Sequence, residues 1–196
     1  MTMSDIDIEK ELFDASVDGN DTRVRELLAA GGNPNKHLDE DGLPALYWVT
    51  LRGHHEVLAT LIKSGADLNI QGKWGETALH RAAVDRDCSM LAALIKAGAE
   101  LNLKNNEGQT ALFWAVERGY RRVEATSTLL RAGADPNSQD NDGETALILA
   151  ARSALSEVMM VLVSAGADPD IENKDGDTAL SWAEDKEIAR LEYKYY

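Results

Sequence analysis

Apolar residues recur in this chain on two periods, one inside the other. At the short period a leucine is followed three residues later by an alanine, as in Leu79 and Ala82, so that both lie on one helix face. A second helical segment then carries an adjacent apolar pair, Leu61-Ile62, Leu94-Ile95, Leu129-Leu130 or Leu162-Val163. At the long period the whole pair of segments recurs. The glycines that open each unit, Gly42, Gly75, Gly108, Gly143 and Gly176, are spaced by 33, 33, 35 and 33 residues. A period near that length denotes a stacked array, each unit contributing one layer to a continuous core.

The polar residues punctuate the same template. Thr77, Thr110, Thr145 and Thr178 precede the first helix, where a hydroxyl can accept from a free N–H of the first turn. Seven residues after the leucine, Gly53 or Gly119 suits the left-handed residue of a tight helix-to-helix turn. Units close on Gly65-Ala66-Asp67, Gly98-Ala99-Glu100, Gly133-Ala134-Asp135 and Gly166-Ala167-Asp168, and an extended hairpin leads to the next unit. Each buried leucine contributes about 1.5 to 3 kcal/mol before entropy is subtracted, so a unit needs neighbours on both sides.

The template divides the chain into a frayed acidic start (1–8), an N-terminal cap of two helices (9–36, helices about 9–17 and 21–29), four full units (37–69, 70–102, 103–137, 138–170), a truncated C-terminal cap (171–193) and a tail (194–196). Three departures predict local rearrangement. Pro44 stands where other units have the capping threonine, and Arg86 and Ala154 occupy the turn-glycine position. Two extra residues between Val123 and Leu129 predict a longer turn or a bulged second helix.

The recurring T-A-L segments, as in Thr77-Ala78-Leu79-His80-Arg81-Ala82, together with the Gly-Ala-Asp closures, resemble the ankyrin-repeat family and its T-P-L-H-x-A tag, with alanine in place of the proline. The resemblance runs from about Lys10 to Leu191. It implies an all-α solenoid of stacked helix-turn-helix units joined by β-hairpin loops, a protein-binding role on a concave surface of first helices and hairpin tips, and neither catalysis nor a cofactor.

Acidic residues outnumber basic ones 34 to 20, and a formal charge of -14 disfavours nucleic acid and anionic membranes while attracting a basic partner. The N-terminal residues lack the charge and apolar run of a signal peptide, and no segment has the length of a membrane span, so a cytoplasmic monomer is expected, with the nucleus left open. The single cysteine, Cys88, excludes an internal disulfide and a cysteine-rich metal site.

Candidate chemistry is thin. His54 and His55 are adjacent rather than one helical turn apart, and His80 fills the histidine of the family tag, so no metal site is expected. Cys88 stands near a helix start, a place that can lower a thiol pKa, but the histidine of its unit, His80, fills the family tag and leaves it without a histidine partner. The carboxylates at Asp67, Glu100, Asp135 and Asp168 repeat because the fold repeats.

What the fold leaves over is a surface. Two residues after the repeated leucine come Asp14, Trp48, Arg81, Trp114, Leu149 and Trp182, a column in which Trp48 and Trp114 should stand about 20 Å apart. Trp74 lies in a hairpin tip, and the tips carry Glu40, Asp41, Glu76, Glu107, Asp142, Glu144, Asp175 and Asp177. An aromatic and arginine stripe with an acidic rim suits a protein partner bearing basic and apolar groups; the same tryptophans could instead cover first-helix packing. Two roles fit: an adaptor or scaffold binding through the stripe, or an acidic inhibitor that occludes a basic site on an enzyme or nucleic-acid-binding protein. Asn69, Asn102 and Asn137, each two residues after an acidic one and eight after a leucine, are similar to sites modified by an asparaginyl hydroxylase in animal cells. The same asparagines can serve the hairpin turn.

Overall fold

The computed structural model describes residues 5–36 and 38–182. Among them the ordered elements are helices: α1 (Asp5–Val17), α2 (Asp21–Ala29), α3 (Ala45–Arg52), α4 (His55–Lys63), α5 (Ala78–Ala83), α6 (Ser89–Lys96), α7 (Ala111–Arg118), α8 (Arg122–Arg131), α9 (Ala146–Arg152), α10 (Ser156–Ser164) and α11 (Ala179–Trp182). Odd-numbered helices pack in sequence against one another from α1 to α11 and form one layer. Even-numbered helices form the second, α2 against α4, α6 against α8 and α8 against α10. The core runs unbroken between the layers. Leu46, Leu79, Leu112 and Leu147 of the first helices and Leu61, Leu94, Leu129 and Leu162 of the second are all buried in it.

The capping threonines act as their position predicts. Thr77, Thr110, Thr145 and Thr178 accept at the hydroxyl from the N–H three residues on, at 3.4, 3.4, 3.1 and 3.3 Å. Helix α3 starts without one, on the extended backbone of Pro44, whose fixed φ suits a helix entry. Hairpins close through two backbone bonds each, such as Asn105 N–H to Gln109 C=O and Gly108 N–H to Asn105 C=O, both at 2.9 Å. Their only ladder pairing among the described residues is a bridge between Leu38 and Pro44, so they are hairpin turns rather than strands.

Four local features depart from the periodic template. Helix α1 begins at Asp5 rather than near residue 9, and Ile8 packs on the core, while Glu9 Oε2 accepts from the Asn33 N–H at 2.9 Å. Gly119 is not left-handed; its φ is -64°, and glycine is required because a Cβ there would collide with the Ala115 carbonyl. Ala154 does take the left-handed turn, at φ 53°, whereas the Arg86 turn is rebuilt: α5 stops at Ala83 and α6 starts only at Ser89. The two extra residues lengthen the turn before α8 to Gly119–Arg121 and the helix itself to ten residues, one more than α4, without a bulge. Two residues placed inside the helix would turn its buried face by about 200°, so they are taken up at its N-terminal end. There the Arg122 guanidinium donates to the Val116 and Glu117 carbonyls at 2.8 and 3.1 Å and closes α7. The end of the C-terminal cap (183–193), the tail (194–196), residues 1–4 and His37 lie outside the described residues.

Candidate partner-binding surface

Successive hairpins are stitched tip to tip. Lys73 N–H donates to Asp41 C=O at 2.6 Å, and Asn106, Asn141 and Lys174 N–H donate to Trp74, Glu107 and Asp142 C=O at 2.9 Å each. A second row of stitches uses side chains: the carboxamide oxygens of Asn35, Asn69, Asn102 and Asn137 accept from the N–H of Asp67, Glu100, Asp135 and Asp168 at 2.8 to 2.9 Å. The spacing that resembles a hydroxylation site is therefore also the spacing of an inter-repeat hydrogen bond; Asn102 remains exposed, whereas Asn69 and Asn137 are half-buried.

The column of the first-helix layer divides by environment. Trp48 and Trp114 are half-buried, and each ties its helix to its own hairpin: Nε1 of Trp48 donates to Asp39 Oδ2 at 2.7 Å and Nε1 of Trp114 to Gln109 Oε1 at 2.8 Å. The Trp114 ring meets the His80 ring edge-on at 5.3 Å, and the Arg118 guanidinium lies 4.7 Å over it. Between the two indoles Arg81 is largely covered, its nearest carboxylate Asp85 at 4.0 Å. Leu149 is buried, so it does not belong to the exposed stripe; it fills the α9 layer between neighbours. Trp182 is 44% exposed and Trp74, at its hairpin tip with Lys73 Nζ 5.6 Å from the ring, 62%. These last two, one in the column and one at a tip, are the surface's accessible tryptophans.

The expected acidic rim also divides. Asp41, Glu107, Asp142 and Asp175 are exposed at successive tips. Glu76 and Glu144 are buried, contrary to their expected place on the rim. Glu144 Oε1 accepts from Arg152 Nη1 and Asn173 Nδ2, both at 2.8 Å, and so joins α9 to the next hairpin. Glu76 fills a different need. In four hairpins an Asp or Asn side chain, Asp39, Asn105, Asp140 or Asn173, caps the turn through bonds to the N–H two and four residues on. At the fifth that position is Gly72, and a Cβ there would stand 2.9 Å from Glu76 Oε1: the glutamate folds into the space. The sequence held the signal in its register, since Glu76, Gln109 and Glu144 each immediately precede a capping threonine and all three are buried.

Tyr47 was missed by the column because it sits one residue before it. Burial, and next the negative charge of Glu76, push its hydroxyl pKa up against the opposing pull of Arg81. Cys88 is buried, and burial first, with Glu124 next, raises its pKa rather than lowering it. One constellation has the residue types of acyl transfer without the geometry: Ser89 Oγ donates to Asp87 Oδ2 at 2.7 Å, while His55 Nε2 lies 3.5 Å from that hydroxyl. The serine proton is thus committed to the carboxylate and not to the imidazole that would have to remove it.

A family model described as ankyrin repeats (3 copies) matches the chain over residues 12–105, 61–140, 81–173 and 112–191. The chain belongs to the ankyrin-repeat family. Among curated proteins it is similar to human SH3 and multiple ankyrin repeat domains protein 1, 37% identical over 71 residues, which is 36% of this chain and 3% of that protein; the mouse protein matches equally. It is also similar to human ankyrin repeat domain-containing protein 39, 31% identical over 70 residues, or 36% of this chain and 38% of that one. The matched segments span only a small part of these relatives' lengths. Ankyrin repeats are modules of protein–protein interaction. Among the described residues no helix is long and apolar enough to cross a membrane, and no cluster of three or more His, Cys, Asp or Glu could hold a metal.

Proposed function

We propose that the chain is a non-enzymatic adaptor or scaffold that binds a partner protein along its hairpin tips and the adjoining edge of the first-helix layer. The observation that carries the reading is Trp74, a tryptophan exposed to 62% in the middle of a row of solvent-facing carboxylates, Asp41, Glu107, Asp142 and Asp175. A large apolar ring held out by a hydrogen-bonded hairpin is the form of an interface anchor, and the acidic residues around it suit a partner whose apolar contact is ringed by lysine or arginine. Trp48, Trp114 and Arg81 serve this surface chiefly as its support.

A partner recovered on immobilised protein from the native lysate provides the test. Trp74→Ala should lose most of that capture with the helical circular-dichroism signal unchanged, whereas Trp48→Ala should lower helix stability as well as capture. Equal recovery by Trp74→Ala and the unaltered chain rejects the surface. The exposed tip carboxylates also support the second reading, an inhibitor that covers a basic site. It requires binding that falls steeply with salt and is lost in Glu107→Gln with Asp142→Asn, while Trp74→Ala leaves it intact.

A further inference from the structure

Three of the six large apolar side chains left exposed among the described residues, Tyr120, Val123 and Met160, stand around α8, at 70, 37 and 50% exposure. They border two adjoining grooves. One, of about 730 Å³, is lined by Val123, Ser127 and Leu130 of α8 and by Met160, Val161 and Ser164 of α10. The other, of about 530 Å³, shares Val123 and Ser127 and continues to Tyr120 and Arg121. No hairpin residue lines either groove.

The lining sets the shape of what fits. On each helix the lining residues recur at three- and four-residue steps, the spacing of one helix face, so the groove runs along the two axes rather than across them. Helices α8 and α10 pack against each other as successive copies in the stack and run the same way. A third helix laid over their seam can set side chains at i, i+3, i+4 and i+7 into it. The ten residues of α8 span about 15 Å, room for about three turns.

Charge selects the ligand's sign. The chain carries -14 overall, yet cations dominate this face. The Arg86 guanidinium lies 4.6 Å over the Tyr120 ring at one end, and Arg131 lines the groove at the other. Among the described residues neither takes part in an ion pair. Lys96, the equivalent of Arg131 one unit earlier, is exposed and extends the same edge. Of the two carboxylates in the lining, Glu124 is paired with Arg121 at 2.8 Å, which leaves only Glu157 to oppose an acidic ligand.

We propose that this face docks an acidic amphipathic helix of a partner protein, seated along the α8–α10 seam with its apolar side chains against Val123 and Met160 and carboxylates at its two ends beside Arg86 and Arg131. Physiological salt screens the chain's net charge beyond about 8 Å, so the attraction is local to the groove. The charge preference is opposite to that of the hairpin tips. The proposal therefore does not rest on the reading given above and adds a second partner face to it.

Fluorescence anisotropy of the full chain with a labelled peptide of about 14 residues, three to four helical turns, tests it; the peptide carries leucines on one helix face and glutamates elsewhere. Binding should saturate, and a peptide of the same composition with its leucines scattered should bind about tenfold more weakly. Met160→Ser, which reproduces the residue at the equivalent position 127, should weaken binding of the first peptide about tenfold, and Arg131→Gln about threefold. Trp74→Ala should leave it unchanged, and all three variants should keep the helical circular-dichroism signal. Failure of the acidic peptide to bind overturns the proposal, as do equal affinities for the two peptides or indifference to Met160→Ser. Binding lost in Trp74→Ala instead would place the peptide at the hairpin tips and overturn it too. So would a mass that rises with concentration in sedimentation without peptide and stays monomeric in Met160→Ser, which would give the groove to a second copy.

Discussion

Burial holds the imidazole of His80 below its ordinary pKa, against the opposing effect of its bond to the Gln109 carbonyl. The hydrogen bonds explain why the neutral form is required. Nδ1 accepts from the Thr77 N–H at 3.2 Å, so Nε2 must carry the proton it donates to Gln109 C=O at 3.1 Å. A second proton would turn Nδ1 from acceptor to donor and break the link between helix cap and next hairpin. Because the folded pKa lies below the unfolded one, the unfolded chain binds this proton first as the medium is acidified. The stabilisation is therefore complete above the unfolded histidine pKa of about 6.5 and declines as the pH falls toward the folded value. Thermal unfolding followed from pH 7.5 down to about pH 5.5 should show a falling midpoint, above the range where carboxylates titrate. His80→Gln should flatten that slope while costing about 1 to 3 kcal/mol at neutral pH, through the buried groups it leaves unpaired.

Two turns between helices occupy one template position and yet call for opposite substitutions. Ala154 is left-handed and strained, so Ala154→Gly should stabilise by about 0.5 to 1 kcal/mol, the relief exceeding the entropy glycine adds to the unfolded chain. Gly119 has ordinary dihedrals, and Gly119→Ala should destabilise by about 1 to 3 kcal/mol because its methyl group meets a backbone oxygen of α7. Urea unfolding of both variants checks the pair; a stabilising Gly119→Ala would mean that the turn has room. The contrast shows what the sequence can carry. Helix pairs, capping threonines and the seam of leucines were legible because each is set by spacing within one chain segment. The conformation at Gly119 was not, since it follows from how a two-residue insertion is shared between turn and helix. Nor was the inward fold of Glu76 and Glu144, which depends on Gly72 in one hairpin and on Arg152 and Asn173 in separate elements. The tryptophan column was legible as a column, but only the burial around each ring separates the bracing Trp48 and Trp114 from the exposed Trp182 and from Trp74 at its tip.

Across the whole molecule, stacking sets like charges side by side. Each tip bonds to the next through its backbone, so the carboxylates of Glu107, Asp142 and Asp175 are held at the spacing of neighbouring repeats, about 10 Å. That is close to the Debye length at 0.1 M salt, so the repulsion acts at low salt and fades above it. A nearest-neighbour array has no distant contact through which to offset this repulsion, and exposed acidic tips thus weaken the fold while favouring the basic partner proposed above. Replacing the three together, Glu107→Gln, Asp142→Asn and Asp175→Asn, should raise the unfolding midpoint by a few degrees at low salt and leave it unchanged near 1 M salt, where the screening length falls to about 3 Å. Calorimetry at the two salt concentrations checks the stability, and the association rate with the captured partner checks the opposing effect, which should slow in the same variant. If the midpoint instead falls at low salt, the tip carboxylates hold the hairpins together, and their exposure reflects the fold rather than recognition.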